Sequence, residues 1–218
     1  KSLVDQILAF ASSRTIEQGV VDLGTLMRRE DEILAELIPP SATLSVQVDE
    51  EPMLVLASKV QIEQLIANLC INARDALEGG SGKIAVSVRR ATTDEVNDIQ
   101  GRADRSDERS FGEIRPGTTY ALLRVADNGV GIPAAVLDRV FEPFFTTKGR
   151  QRGTGLGLAV VHGVVNSTGG YCNLRSSPGE GTTFSIYLPL VAGTASAAAP
   201  APIERTDPYG RESILVVD

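Results

Sequence analysis

Apolar residues recur along the 218-residue chain at two different spacings. Spacings of three and four residues predict helices at 1–13, within 22–38, at 58–77 and at 155–167, and Pro133 predicts the start of a short helix to about Val140. Alternating or continuous apolar runs predict strands at 43–48, 53–57, 83–90, 119–126, 171–176 and 182–190, and a short extended piece at 19–22. This order of elements predicts an α/β fold, in the form of a two-layer sandwich of a mixed β-sheet and helices.

Turn and capping residues set the boundaries between these elements. Asp22 and Ser58 each precede a predicted helix and are predicted N-caps. Residues 91–117 are polar and lack periodicity, which predicts a long, mobile hairpin loop. Residues 192–212 are rich in Ala, Pro and Gly, which is typical of an extended linker. We therefore expect the folded domain to span residues 15–191.

Composition and charge narrow the function classes. The chain carries 21 Lys and Arg against 28 Asp and Glu, a formal net charge of −7. Because nonspecific binding to nucleic acid needs clustered basic residues, we expect no nucleic-acid partner. Cys70 and Cys172 have no metal-type spacing and are expected to be free thiols, although a disulfide stays open. The sequence shows no leader peptide and no apolar run of about 18 residues, which favours a cytoplasmic location and leaves open a membrane anchor in a parent protein.

One face of the helix predicted at 58–77 carries side-chain amides. Asn68, Asn72 and Asp75, together with two glutamines before them, follow each other at spacings of three and four. Solvated surface helices usually carry Lys and Glu instead, and Asn is a weak helix former. Amide oxygens are suitable ligands for Mg²⁺, which keeps several of its waters in proteins. Two interpretations stay open, a solvated face and a magnesium-binding face.

Two glycine-containing segments are candidate ligand sites. Asp127-Asn-Gly-Val-Gly131 is typical of a strand-ending turn. Alternatively, its carboxylate accepts a hydrogen bond from an exocyclic amine, while its glycines let a planar ring approach the backbone. Gly153-Thr-Gly-Leu-Gly157 opens a predicted helix, whose N-terminal N–H groups favour a phosphate; a loop without a ligand is the alternative. Lys148, Arg150 and Arg152 supply positive charge nearby in the sequence.

Taken in their order along the chain, these segments resemble the sequence boxes of histidine kinase ATPases, within the wider group that includes gyrase B, Hsp90 and MutL. Asn68–Ala76 resembles the N box, Asp127–Gly131 the first glycine box, Phe141–Phe145 the F box, Gly153–Gly157 the second glycine box and Gly181–Phe184 the closing Gly-Thr box. The resemblance implies the Bergerat fold, which is an α/β sandwich. It also implies that the ligands are ATP and Mg²⁺.

The resemblance implies a role for each matching position. Asn72 would bind Mg²⁺ and act in catalysis, with Asn68 as a supporting metal-site residue, and Asp127 would bind the adenine amine. Lys148, in an ATP lid at 141–154, would act in catalysis on the phosphates. The other cofactor-binding positions would line the ring or hold the triphosphate, and they are Gly129, Gly131, Ile132, Gly153, Thr154, Gly155, Leu156, Gly157 and Thr182.

One position departs from the family pattern. Many of these kinases carry Lys three residues after the second asparagine of the N box, where this chain has Asp75. The identity of the cation on the phosphates therefore stays open among Arg74, Lys148, Arg150 and Arg152. Asp75 is itself expected to be a cofactor-binding residue that acts through water on the base or on the metal shell.

The function implied by the resemblance is that of the ATP-binding catalytic domain of a two-component sensor histidine kinase. Such a domain transfers the γ-phosphoryl group of Mg-ATP to a histidine, which we expect outside this chain because His162 lacks the acidic neighbour of a phosphoacceptor. Residues 1–14 resemble the end of a dimerisation helix, and residues 213–218 resemble the start of a receiver domain, which implies a hybrid kinase. The implied partners are the dimerisation and histidine-phosphotransfer domain of the same protein and a response regulator receiver domain, and the parent is expected to be a homodimer.

Two other functions stay open. An ATPase of the gyrase, Hsp90 and MutL type places a water-activating Glu at the position of Asn68. An amide cannot act as a general base, so ATP hydrolysis by this chain is expected to be slow. A catalytically silent nucleotide-binding module would keep the boxes without transferring a phosphoryl group.

Overall fold

The helices and strands follow the predicted order, with one helix and one strand added. The computed structural model describes residues 18–100, 103–148 and 154–191. The helices are α1 (Leu23–Leu37), α2 (Lys59–Ala76), α3 (Thr93–Ile99), α4 (Ala134–Leu137) and α5 (Gly157–Ser167), with a 3₁₀ turn at Glu78–Gly80. The strands are β1 (Gly19–Asp22), β2 (Ala42–Val48), β3 (Leu54–Ala57), β4 (Gly82–Arg90), β5 (Glu108–Gly112), β6 (Tyr120–Asp127), β7 (Tyr171–Ser177) and β8 (Gly181–Pro189).

Six of the strands form one mixed sheet in the order β2-β4-β6-β8-β7-β5. β2 lies parallel to β4, and the other neighbouring strands of this sheet are antiparallel. β1 and β3 pair separately as an antiparallel ribbon. Helices α1, α2 and α5 share one apolar core with the sheet. The predicted α/β sandwich of a mixed sheet and helices is therefore confirmed.

The core lies between the sheet and these three helices. Along β4, the alternate residues Ile84, Val86 and Val88 are buried, which is the pattern of a strand with one face covered. Ile62 and Leu65 of α2 are fully buried against this layer. Burial of each such side chain contributes about 1.5–3 kcal/mol. The apolar stripe thus fixes α2 on the sheet, and its amide-bearing face is left for the site.

Residues 91–117 contain a helix and a strand, so the predicted hairpin loop is wrong. α3 begins at a capping box, in which the Thr92 hydroxyl accepts from the N–H of Glu95 and the Glu95 carboxylate accepts from the N–H of Thr92. Val96 packs in a second, smaller apolar cluster on the outer side of the sheet. β5 pairs with β7 and extends the sheet edge. A seven-residue helix with one buried residue shows too little periodicity to be predicted.

The two predicted helix caps differ in their contacts. Asp22 Oδ1 accepts hydrogen bonds from the N–H of Gly24 at 3.2 Å and from the N–H of Met53 at 3.0 Å. The cap is therefore confirmed, and it also ties α1 to the segment that precedes β3. Ser58 stands at the N-cap position of α2, but its side chain makes no capping hydrogen bond.

Three predicted segments lie outside the described residues, namely the dimerisation-helix end at 1–14, the linker at 192–212 and the receiver start at 213–218. Cys70 and Cys172 are free and buried, as expected. Burial raises the pKa of both thiols, that of Cys70 to about 12. In the part of the chain that the structure describes, no helix has the length and apolar character needed to cross a membrane.

Glu95→Ala is expected to destabilise α3. Arg89 donates two hydrogen bonds to the Glu95 carboxylate and, against the effect of burial, lowers its pKa from 4.5 to about 2. Losing the cap and this ion pair should reduce the free energy of unfolding by about 1 kcal/mol at neutral pH. A carboxyl group whose pKa is lower in the folded chain stabilises the fold at pH values above its pKa in the unfolded chain. The difference from the unmodified chain should therefore disappear as the pH falls from 4.5 toward 2.

Urea denaturation over this pH range measures the effect of Glu95→Ala. Asp94→Ala is the matched control, because Asp94 is an exposed acid one position earlier on the same helix. An equal loss of stability in both variants at neutral pH would contradict the role assigned to Glu95.

Candidate functional site

A cavity of about 560 Å³ opens between α2, the end of β6 and the start of α5. It gathers side chains that lie far apart along the sequence. Of the predicted site residues, those that line it are Asn68, Asn72, Asp75, Asp127, Gly131, Ile132, Lys148, Thr154, Gly155, Gly157 and Thr182. The amide face of α2, the two glycine segments and the Gly-Thr segment thus meet in one place.

Two predicted cofactor-binding residues, Leu156 and Gly129, do not line the cavity. Leu156 is buried beside the start of α5. Gly129 lies against the end of α2, where an added Cβ would come within 2.5 Å of the Ala76 carbonyl oxygen. These two residues therefore support the cavity wall from behind. Gly153 lies outside the described residues.

Asp127 ends β6 and brings its carboxylate to the cavity. The strand register places it opposite Thr182 of β8. The carboxylate accepts hydrogen bonds from the backbone N–H groups of Gly129, at 2.8 Å, and of Thr182. Burial raises the pKa of this carboxyl, and the two N–H groups oppose the rise. An ionised carboxylate has about four acceptor sites, so it keeps capacity for a ligand amine.

The turn that follows β6 is held on two sides by the backbone. The N–H of Val130 donates to the Ala76 carbonyl at 3.0 Å, and the Val130 carbonyl accepts from the N–H of Gly179 at 2.8 Å. Gly131 has a φ of +70°, and a Cβ there would lie 2.0 Å from the Ser177 carbonyl oxygen. This turn therefore needs glycine for its conformation and for space.

The amide face of α2 meets the start of α5. A Cβ on Gly157 would lie 3.5 Å from Asn68 Oδ1 and 3.8 Å from Asn72 Nδ2. The Nδ2 atoms of both asparagines are buried and have no hydrogen-bond partner among the described residues. Since buried polar groups are nearly always paired, these amides indicate a polar ligand beside them.

The donor set at this point fits Mg²⁺. Within 18–100, 103–148 and 154–191, no group of three or more His, Cys, Asp or Glu could hold a metal ion. Mg²⁺ does not need such a cage, because it binds through one or two protein oxygens together with phosphates and waters. Asn72 and Asn68 can each present an amide oxygen to the cavity once the amide is turned toward a ligand.

Lys148 and Arg74 both pair with Asp75. Lys148 Nζ lies 2.8 Å from Asp75 Oδ2, and the Arg74 guanidinium donates to Asp75 Oδ1 at 2.7 Å. Burial acts to raise the pKa of the Asp75 carboxyl, but the two cations hold it below its ordinary value. Asp75 thus holds the lid lysine against α2. The other two candidate cations, Arg150 and Arg152, lie outside the described residues.

Phe144, near the start of the predicted lid at 141–154, contacts Gly155, which directly follows the lid. The N–H of Phe144 donates to the Gly155 carbonyl at 2.9 Å. A Cβ on Gly155, whose φ is +67°, would lie 2.4 Å from the Phe144 carbonyl carbon. Phe144 also has a φ of +67°, a conformation that costs a non-glycine residue about 1–2 kcal/mol. The base of the lid is therefore a strained and closely packed junction.

His162, the single histidine of the sequence, packs among aromatic rings. Its ring centroid lies 4.4 Å from that of Phe111 and 6.1 Å from that of Phe141. The Asn166 Nδ2 atom is 3.2 Å from its Nδ1. These contacts agree with the interpretation of His162 as a packing residue.

Ser176 is a residue of the site that the sequence interpretation missed. Its buried hydroxyl accepts from the N–H of Ile132 at 2.8 Å, donates to the Gly181 carbonyl at 2.9 Å and contacts Thr182 Oγ1 at 2.9 Å. It therefore joins the turn after β6 to the start of β8. A signal does exist in the sequence, because the two preceding inward positions of β7 are apolar and Ser176 breaks that pattern.

The family model for histidine kinase-, DNA gyrase B-, and HSP90-like ATPase matches residues 57–192. The sensor kinase CckA of Brucella abortus is 35% identical over 224 residues, which cover 100% of this chain and 22% of CckA. The two-component sensor PprA of Pseudomonas aeruginosa is 42% identical over 140 residues, which cover 64% of this chain and 13% of PprA. The chain thus spans less than a quarter of the length of these two curated relatives.

The fold also resembles a solved structure. Full-length ShkA, in a complex with AMPPNP, aligns with a TM-score of 0.63 and 22% sequence identity. The alignment covers 88% of this chain and 36% of the ShkA chain. A likeness at this identity shows a shared fold, and it agrees with the mixed sheet and helices described above.

Gly131→Ala is expected to destabilise the fold more than Gly179→Ala does. Both glycines have positive φ, +70° and +79°, so each alanine carries a conformational cost of about 1–2 kcal/mol. A Cβ at Gly179 would meet nothing within 4 Å, whereas one at Gly131 would collide with the Ser177 carbonyl. We expect Gly131→Ala to lower the free energy of unfolding by at least about 2 kcal/mol more, measured with urea. Equal losses would contradict the close approach of the turn.

Proposed function

We propose that this chain, which belongs to the family of histidine kinase-, DNA gyrase B- and HSP90-like ATPases, binds Mg-ATP and presents the γ-phosphoryl group to a histidine in another segment. Within the family, it is an ATP-binding catalytic domain of two-component sensor histidine kinases. The observation that carries this proposal is the polarity of the cavity. The partly buried carboxylate of Asp127 lies at one end, and uncharged amides, a helix start and a lysine lie at the other.

The carboxylate end suits adenine. Asp127 can accept a hydrogen bond from the exocyclic amine, and Gly131 and Ile132 form the adjacent wall of the cavity. Because Gly131 has no side chain, a planar ring can approach the backbone there. Thr182 adds a hydroxyl beside the carboxylate.

The opposite end suits a triphosphate. α5 is an 11-residue helix that begins at Gly157, so its first N–H groups have no partner within the helix. These groups and the helix dipole favour an anion. Thr154 and Gly155 continue the same wall, and Lys148 contributes a positive charge from the lid. Arg74, which shares Asp75 with Lys148, keeps the net charge of this group positive.

Asn72, supported by Asn68, would hold Mg²⁺ at the phosphate end. When bound, Mg²⁺ neutralises charge on the phosphates and supports in-line transfer of the γ-phosphoryl group. The residues of the chain supply positioning: α2 places the amides, the start of α5 holds the phosphates, and Lys148 faces them from the lid. Phosphoryl transfer depends mostly on such positioning and charge neutralisation.

The acceptor histidine is proposed to come from a dimerisation and histidine-phosphotransfer domain of the parent protein, because His162 packs among aromatic rings. The phosphoryl group would then pass to a response regulator receiver domain. In this scheme residues 1–14 belong to the dimerisation helix and residues 213–218 to a receiver domain of a homodimeric hybrid kinase. The domain would work in the cytoplasm, where it meets ATP.

Rapid hydrolysis of ATP is not favoured by the cavity. Among the described residues that line it, the acids are Asp75 and Asp127. Asp75 is engaged by two cations, and Asp127 lies at the end assigned to adenine. Asn68 cannot act as a general base. The arrangement therefore favours transfer of the γ-phosphoryl group to an incoming histidine over its hydrolysis by an activated water.

Asp127→Asn is expected to abolish binding of a non-hydrolysable ATP analogue. The side-chain amide of the introduced asparagine would turn its own N–H donors toward the amine of the base, which is also a donor. The two groups cannot pair, and this should weaken binding at least a hundredfold. Calorimetric titration with and without Mg²⁺ measures this, and the unmodified chain should bind more tightly with Mg²⁺. Asp138→Asn is the matched control, because Asp138 is an exposed acid outside the cavity. Equal binding by the unmodified chain and Asp127→Asn would refute the adenine site.

Asn72→Ala is expected to block phosphoryl transfer. Mixed with labelled ATP and the dimerisation domain of its parent kinase, the unmodified chain should label the histidine of that domain. Asn72→Ala should slow labelling about a hundredfold or more, because the metal loses its protein ligand. Asn97→Ala, an exposed amide on α3, should label at the unmodified rate. ATP binding without any labelled histidine would instead favour a silent nucleotide-binding module.

A further inference from the structure

The hydroxyl of Thr182 stands beside the carboxylate of Asp127. The two residues are direct neighbours across β6 and β8. Side chains paired in this way have Cβ atoms about 4.5–5.5 Å apart. Both line the cavity at the end assigned to the base. The direction in which Thr182 holds its proton therefore decides what a ligand meets next to the carboxylate.

Ser176 fixes that direction, as a count of protons and lone pairs shows. A serine hydroxyl has one proton to donate and two lone pairs with which to accept. The Gly181 carbonyl can only accept, so the Ser176 proton goes to it across 2.9 Å. The N–H of Ile132 can only donate, so it takes one lone pair at 2.8 Å. The remaining contact, 2.9 Å to Thr182 Oγ1, is then a hydrogen bond that Thr182 donates.

This network is sheltered from water. Ser176 is 3% exposed and Thr182 is 6% exposed, so solvent does not compete for these hydrogen bonds. A threonine hydroxyl with no fixed partner turns to donate or to accept, as its ligand requires. With its proton committed to Ser176, Thr182 offers the cavity lone pairs only.

We propose that Ser176 is a positioning residue for base selectivity, which holds the Thr182 hydroxyl as an acceptor so that the site takes a 6-amino purine and rejects a 6-oxo purine. The inference rests on the proposed function, because it requires a purine base against Asp127. The 6-amino group of adenine can donate to both neighbouring acceptors. A 6-oxo purine in the same orientation turns O6, an acceptor, toward them, and Thr182 could pair with O6 only if its proton were free.

The test compares the affinities of the whole chain for a non-hydrolysable ATP analogue and for the matching GTP analogue, by calorimetry. Ser176→Ala releases the Thr182 proton and is expected to lower the selectivity for ATP over GTP about tenfold, the effect of one hydrogen bond. Thr182→Val removes the hydroxyl and should lower the selectivity similarly. The double variant Ser176→Ala with Thr182→Val should show no further loss, because both changes act through the same hydroxyl.

Selectivity, rather than affinity, separates this role from a structural one. If Ser176→Ala weakens binding of both nucleotides by the same factor, Ser176 only supports the fold and the inference is overturned. If Ser176→Ala does not fold, Ser176→Cys can be used instead, because its thiol is similar in size but is a poor hydrogen-bond acceptor. The ratio of the affinities for the ATP and GTP analogues then decides the question in the same way. Failure of the unmodified chain to bind the ATP analogue would refute the proposed function itself, whereas normal ATP binding with unchanged ratios would refute this inference alone.

Discussion

The cavity depends on the close packing of the turn after β6, which lies between the end of α2 and the turn that joins β7 to β8. Backbone hydrogen bonds link Val130 to Ala76 and to Gly179, one on each side of the turn. The missing side chains of Gly129 and Gly131 make room for this contact. Because backbone atoms form these contacts, they do not rely on flexible side chains. The base end of the cavity is therefore preformed.

The phosphate end is held by weaker interactions. The side chains of Lys148 and Asp75 are 32% and 24% exposed where they pair. Partly exposed ion pairs of this kind contribute about 0–1 kcal/mol, so a bound triphosphate can replace Asp75 as the partner of Lys148. The departure from the family pattern at Asp75 thus has a physical consequence, because α2 carries an acid that pairs with Lys148, the proposed cation of the lid. One end of the cavity is rigid, and the other can adjust to its ligand.

The sequence predicted those features of the site that depend on residues close together along the chain. The amides of α2, spaced by three and four, and the glycine turn after Asp127 lie in the cavity region that their patterns indicated. α3 was missed because its 7 residues bury only Val96, which leaves no apolar stripe to detect. Ser176 was missed because the meaning of a hydroxyl depends on its partners, and Ile132 lies 44 positions away. The pairing of Lys148 with Asp75, 73 positions apart, is likewise a product of the fold.

The distribution of charge gives the cavity a direction. The whole chain has a net charge of −7 and so repels a polyanion at long range, but the repulsion between exposed charges is screened within about 10 Å at ordinary salt. Inside the cavity screening is weaker, and a triphosphate turned the wrong way would meet the partly buried carboxylate of Asp127. Turned the other way, it meets uncharged asparagines, the start of α5 and Lys148, while the charge of Asp75 at this end is balanced by Lys148 and Arg74. Under the proposed function, electrostatics would therefore orient the nucleotide before any base contact forms, and it would leave the γ-phosphoryl group on the side of Lys148, which is the side proposed for the acceptor histidine.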